Sequence, residues 1–145
     1  MNALHSLLPQ AHRVCLWIAL LTSAVLSPTL SLAAGRKPAV LCHYTYGGEE
    51  KTMQATPTRA PYTLEPVAVG SYFQLKVVLQ TQPADSAGVK IYVYADREPV
   101  PVPIQQMNFP YPPRAQAKGY GFTGKHWVYE PIRDGEMQYW CEFKS

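Results

Sequence analysis

Two cysteines constrain this chain more than any other feature. Cys42 lies in the first strand-like segment and Cys141 lies in the last, while the third cysteine, Cys15, sits inside an apolar amino-terminal run. Once that run is set aside, Cys42 and Cys141 have only each other as partners. In an oxidising compartment such a pair is expected to form a disulfide, with free thiols or metal ligation as the alternative. The bond would close a loop of about 100 residues, worth on the order of 4–5 kcal/mol by the chain-entropy argument. It would also fasten the start of a domain to its finish.

The amino-terminal run reads as an export signal. Residues 1–13 carry Arg13 and no acid, Val14 to Leu26 is apolar and uncharged, and Ser27-Pro28 interrupts it. Ser31-Leu32-Ala33 then places small residues at the −3 and −1 positions of a cleavage site. This is the three-part layout of a secretory signal peptide, with cleavage expected after Ala33, or alternatively after Ala34. An uncleaved signal holding the protein at the membrane is the alternative. The run is shorter than the about 20 apolar residues of a comfortable span, and no second run of that kind follows. The expected division is therefore a signal peptide over residues 1–33 and an exported domain over residues 34–145, periplasmic or extracellular, with no membrane span after cleavage.

The remaining chain is long enough for one core. All ten tyrosines lie beyond residue 33, as do all but two of the 14 prolines, and the formal charge of the whole chain is only +3. That charge is too mild, and its basic residues too dispersed, to imply nucleic acid as a partner. An aromatic, β-branched and proline-punctuated sequence reads as strands and turns.

The strand pattern is clearest over Ser71–Gln80, where Phe73, Leu75, Val77 and Leu79 alternate with Tyr72, Gln74, Lys76 and Gln80, and Val78 is the exception. Val89–Ala95 repeats it, with Val89, Ile91 and Val93 inward and Lys90, Tyr92 and Tyr94 outward. A period of two marks a half-buried strand, and the two segments are expected to pair as a central hairpin. Ala39–Tyr46 and Glu50–Thr56 flank a Gly47-Gly48 turn signal. Residues 57–69 read as a proline-rich loop with a short edge strand around Leu64. Pro99, Pro101 and Pro103 confine the next segment to a sheet edge or a polyproline-like stretch, followed by strand-like Gln105–Phe109. A long loop, Pro110 to Gly124, precedes Lys125–Glu130 and the closing strand Met137–Phe143. The expected fold is a small all-β domain of about seven strands, an antiparallel β-sandwich or alternatively a small β-barrel, with the first and last strands joined by Cys42 and Cys141.

The patterns that carry chemistry are missing or incomplete. Gly119-Tyr120-Gly121-Phe122-Thr123-Gly124-Lys125 imitates two phosphate-binding loops, but His126 stands where a hydroxyl residue is needed, and a strand rather than a helix is expected to follow. No nucleotide is therefore expected; the loop reads as a flexible turn-rich segment. His43 and His126 belong to no metal-binding spacing, so no metal or other cofactor is expected. A soft copper site built from Met53, Met107 or Met137 with one histidine is the alternative. Ser71, Ser86 and Ser145 sit in turns or at the end, without a nucleophile elbow. Glu49, Glu50 and Glu130 read as solvated turn charges rather than a catalytic carboxylate pair. No catalytic residue is assigned, and the chain is expected not to be an enzyme.

The surplus of outward aromatic residues points to recognition instead. Tyr72, Tyr92 and Tyr94 on the central hairpin, with Tyr120, Phe122 and Trp127 from the long loop, form the candidate binding surface, since amphipathic rings suit sugar and protein surfaces. The alternative is that a second sheet packs over them. The segment Leu41-Cys42-His43-Tyr44-Thr45-Tyr46-Gly47-Gly48-Glu49, a cysteine strand leading into a hairpin, together with Cys141, resembles the small periplasmic inhibitors of C-type lysozyme. The resemblance covers the two ends of the domain and implies a β-barrel with a disulfide near its ends. Their S-G-x-x-Y-type inhibitory loop has no match in Gly119-Tyr120-Gly121-Phe122, so no inhibitory residue carries over. The functional expectation is an exported, non-enzymatic binding module for an unknown protein or other component of the cell envelope. The alternatives are an enzyme inhibitor and a periplasmic copper binder.

Overall fold

The computed structural model describes residues 36–131 and 133–145; the expected signal peptide, with Cys15, lies outside them. The described residues form eight strands: β1 (Ala39–Tyr46), β2 (Glu49–Ala55), β3 (Val67–Val69), β4 (Phe73–Gln80), β5 (Gly88–Ala95), β6 (Val102–Pro110), β7 (His126–Tyr129) and β8 (Glu136–Lys144). They make two four-stranded antiparallel sheets, ordered β2-β1-β8-β7 and β3-β4-β5-β6. Among the described residues no strand of one sheet pairs with a strand of the other, so the fold is the sandwich and not the barrel.

The first sheet starts from a tight hairpin. Tyr46 pairs with Glu49 across Gly47 and Gly48, both at positive φ. A two-residue turn of that kind matches the right-handed twist of its strands, and glycine takes the conformation without a Cβ clash. β8 then pairs along the other side of β1, bringing Cys42 directly opposite Cys141. The two are disulfide-bonded, with Cα atoms 4.0 Å apart and 99 residues between them in sequence. Both sulfurs face the core, where the cysteines are fully buried.

The core lies between the sheets. Val40, Cys42 and Tyr44 of β1 and Met137, Tyr139 and Cys141 of β8 face Phe73, Leu75, Val77 and Leu79 of β4 and Val89, Ile91 and Val93 of β5. The hairpin β4–β5 occupies the centre of the second sheet, and Val77 pairs with Ile91. Tyr139 crosses from the first sheet to the edge of the second, its hydroxyl donating to Gln105 Oε1 at 2.7 Å beside Met107 Sδ. Burial holds that phenol far above its ordinary pKa, so it remains a donor.

The proline-bearing strand is an edge strand, β6, and it is longer than its prolines suggested. Its register against β5 shifts between Val93, paired with Gln105, and Tyr94, paired with Pro103, so Ile104 bulges out of the ladder. Proline has no N–H to give a ladder, and an edge is where that omission is tolerated. The short strand expected around Leu64 is β3, displaced to Val67–Val69 and paired with the start of β4.

The loop between β6 and β7 is anchored rather than loose. Phe122 N–H donates to the Cys141 carbonyl at 3.0 Å, and the Cys141 N–H donates to Thr123 Oγ1 at 2.8 Å. Gly121 bridges Cys141 in the parallel sense, extending the sheet beyond the end of β7. Gln116 closes the loop on itself, its N–H donating to the Gly121 carbonyl and its side-chain amide to the Phe122 carbonyl.

A candidate recognition groove

The outer face of the second sheet carries a broad concavity. On this face Lys76 pairs with Tyr92, Val78 with Lys90, and Gln74 with Tyr94. A groove of about 610 Å³ runs over these rows, with Arg59, Pro61 and Tyr62 along one side and Gln80 and Ser86 near one end. Val78, the residue that broke the alternation of β4, lies in its lining. It is buried although it points away from the inter-sheet core.

The wall is built by the chain between β2 and β3. β3 covers only the first residues of β4, leaving the far part of that strand without a strand partner on the side away from β5. The segment after β2 fills the gap: Pro57 bridges Leu79, and Thr58 N–H donates to the Leu79 carbonyl at 2.9 Å. The chain then turns through a short 3-10 helix, Pro61–Thr63. Thr58 Oγ1 accepts from Ala60 N–H, and Thr63 donates twice, from its N–H and its hydroxyl, to the Ala60 carbonyl. These bonds hold Arg59 and Tyr62 over the sheet. At one end, Gln80 donates from its side-chain amide to Ser86 Oγ at 2.9 Å, tying β4 to the short turn Ala84–Ser86.

Three cations, Arg59, Lys76 and Lys90, line the groove, and no carboxylate does. None of the three takes part in an ion pair among the described residues. The aromatic lining is Tyr62, Tyr92 and Tyr94. Tyr92 and Tyr94 lie near-parallel, with ring centres 6.2 Å apart and planes inclined by 23°. Burial, with the neighbouring Tyr92, raises the pKa of the Tyr94 phenol, which therefore stays neutral and able to donate. Tyr62 is 94% exposed, its ring free at the groove rim.

The six aromatic residues singled out from the sequence do not share one surface. Tyr92 and Tyr94 belong to the groove. Tyr120 and Trp127 lie with the opposite sheet, where Tyr120 packs edge-on against Trp140 and Lys125 sits 5.7 Å from both the Tyr120 and Trp127 rings. Trp140 in turn stacks on His43, ring centres 3.9 Å apart. Tyr72 and Phe122 are buried, against the expectation that they point outward. Tyr72 lies just before β4, where its carbonyl accepts from Asp96 N–H beyond the end of β5. Its ring packs edge-on against Phe73 while its hydroxyl accepts from Arg97. Phe122 is drawn in by the backbone bonds at Cys141 and meets Phe109 edge-on, ring centres 4.9 Å apart.

Glu130 also departs from expectation. It is almost fully buried rather than solvated, and its carboxylate accepts from the Tyr46 hydroxyl at 3.2 Å and from Arg133 Nε. The contact with Glu130 raises the pKa of Arg133. Glu49 and Glu50 stay exposed, Glu49 paired with Lys51 and Glu50 beside His43. Among the described residues, no three His, Cys, Asp or Glu side chains gather closely enough to hold a metal ion. No described helix is long and apolar enough to cross a membrane.

Sequence reasoning missed Arg59, Tyr62, Lys76 and Lys90 as a group. Val78 was the available signal: an apolar residue on the outward row of a strand needs something to cover it. Among known proteins the chain has no significant match: no family model, curated protein or solved structure is similar to it.

Proposed function

We propose that this is an exported, non-enzymatic binding module of the cell envelope, and that the groove over β4 and β5 is its recognition site. The observation that carries the reading is a built concavity with three unpaired cations, three tyrosines and no carboxylate in its lining. A covering loop held by its own hydrogen bonds keeps that shape before any ligand arrives, which lowers the ordering cost of binding. The alcohols in the lining support holding a ligand over transforming it. Thr63 Oγ1 donates to the Ala60 carbonyl, and Ser86 Oγ lies against the Pro83 carbonyl and the Gln80 amide, so neither is bonded to a base.

The test is capture of envelope components on the immobilised protein, with the wild type compared against Lys76→Glu/Lys90→Glu. A component retained by the wild type and released by the double variant is the expected result. Equal retention by both proteins, or retention by neither, removes the groove as the recognition site.

A further inference from the structure

Resting on that reading, we infer that the groove takes an acidic oligosaccharide, a chain of sugar rings bearing carboxylate or sulfate groups. Charge is the first argument. Arg59, Lys76 and Lys90 meet over one stretch of sheet with no carboxylate in the lining to neutralise them. Unpaired cations in a concave site raise the local concentration of anions and favour them as ligands.

The position of the groove excludes recognition by backbone pairing. It lies on the face of the sheet, where β5 is paired on both sides and β4 is closed by β3, β5 and the Pro57–Thr58 segment. A peptide adding itself as a strand needs a free edge, and this site has none. Contacts must come from side chains: ammonium and guanidinium groups for charge, phenols and the accepting Gln80 Oε1 for hydroxyls. That inventory suits a ligand rich in hydroxyl groups.

The aromatic geometry separates sugars from nucleic-acid bases. Single-stranded nucleic acid is held by stacking successive bases on free ring faces. Here Tyr92 and Tyr94 lie near-parallel to each other and are half-buried, so neither ring stands fully open for a base to stack on. Tyr62 alone offers an open ring. One open ring beside several hydrogen-bonding phenols fits a polyhydroxylated ring better than a run of stacked bases.

The shape favours a chain over a single small molecule. Tyr62, Lys76 and Tyr94 also line an adjoining open depression of about 450 Å³, which continues past Leu64 to Pro101 and contains one carboxylate, Glu65. The two hollows therefore make a track along the sheet, more basic at the Lys90 end.

The experiment measures binding of five soluble polymers by calorimetry: polygalacturonate, dextran sulfate, neutral dextran, poly-glutamate and oligo-thymidylate. Carboxylated or sulfated polysaccharide should bind, and the two arms tell which anionic group is preferred. Lys76→Glu/Lys90→Glu should weaken that binding by at least about tenfold, the effect of roughly one good polar contact. Tyr62→Ala should weaken it severalfold, and Lys125→Glu on the opposite sheet should leave it unchanged. All these side chains are exposed or half-buried, so urea unfolding verifies that each variant remains folded.

Equal binding of poly-glutamate or oligo-thymidylate overturns the sugar assignment, and full binding by the Lys76/Lys90 variant overturns the location. If no acidic polysaccharide binds while the envelope capture still depends on Lys76 and Lys90, the ligand class is wrong and the recognition site stands. If both experiments fail, the recognition site falls with it.

Discussion

Replacing Gly121 by alanine tests how the loop between β6 and β7 is fixed to the disulfide-bearing strand. Gly121 has φ near +63°, and a Cβ built there would lie 2.0 Å from the Cys141 carbonyl oxygen and 2.9 Å from the Glu142 Cα. Those atoms are backbone in a paired strand and cannot swing aside. The left-handed conformation alone costs an alanine about 1–2 kcal/mol. Relief of the clash must also part Phe122 N–H from the Cys141 carbonyl and the Cys141 N–H from Thr123 Oγ1. Leaving buried polar groups unpaired costs about 1–3 kcal/mol for each group. Counting one stranded group for each of the two bonds, the expected loss is roughly 3–8 kcal/mol, a large share of the about 5–15 kcal/mol that holds a typical domain folded. Gly119→Ala is the control. Its φ is +85°, but nothing lies within 4 Å of the added Cβ, so only the conformational cost applies. Urea unfolding of both variants under non-reducing conditions measures the difference. If Gly121→Ala is no more destabilising than Gly119→Ala, the loop is not locked to Cys141 and the argument fails.

Other expectations follow from the same geometry. Cys42→Ser and Cys141→Ser should each destabilise by up to about 4–5 kcal/mol, and the double variant by little more than either, because each removes the same bond; full additivity in thermal unfolding would contradict this. Ile91→Ala should cost about 2–5 kcal/mol in denaturant unfolding, since its side chain is fully enclosed between the sheets; a loss below about 1 kcal/mol would remove it from the core. The Lys144 ammonium beside Glu142, joined by His43, holds that carboxyl below its ordinary pKa against the opposing effect of burial. A folded-state pKa lower than the unfolded one adds stability above the unfolded value and loses it as pH falls through the folded value. Wild type should thus lose more stability than Glu142→Gln between roughly pH 5 and pH 3, and parallel acid-unfolding curves would refute the pairing. If export proceeds as the amino-terminal sequence indicates, sequencing of protein recovered outside the cytoplasm should begin at Ala34, and an intact Met1 would refute cleavage.

What was legible in the sequence is what a half-buried sheet writes into it. β1, β4, β5 and β8 each bury one face against the opposite sheet, so Val40, Leu75, Ile91 and Tyr139 fall on alternating positions that can be read directly. β3 reads a few residues early in the sequence because it has only three residues, two of them exposed, in a proline-rich stretch. Tyr72 and Phe122 were misplaced for a related reason. They lie in a turn and a loop, where side-chain direction is set by partners distant in sequence, Arg97 for one and Cys141 for the other. The groove was hidden because its two sides come from separate stretches: Arg59 and Tyr62 arrive on a crossing loop, and Lys76 and Lys90 on the hairpin beneath. A period of two tells which residues leave the core, but not what the chain later lays over them.

The direct pairing of Cys42 with Cys141 has a mechanical consequence. The two ends of the domain leave from neighbouring strands, and the covalent bond lies between those exits and everything else. A pull applied to the ends would reach the sulfur–sulfur bond after unzipping only the outermost pairs of β1 and β8. The 99-residue separation enclosed by the bond, about 330 Å of chain if extended at the usual length per residue, would stay out of the path of the force. In a force-extension trace the oxidised protein should lengthen by a few residues and then stop. The reduced protein should release the remainder of its contour in one step.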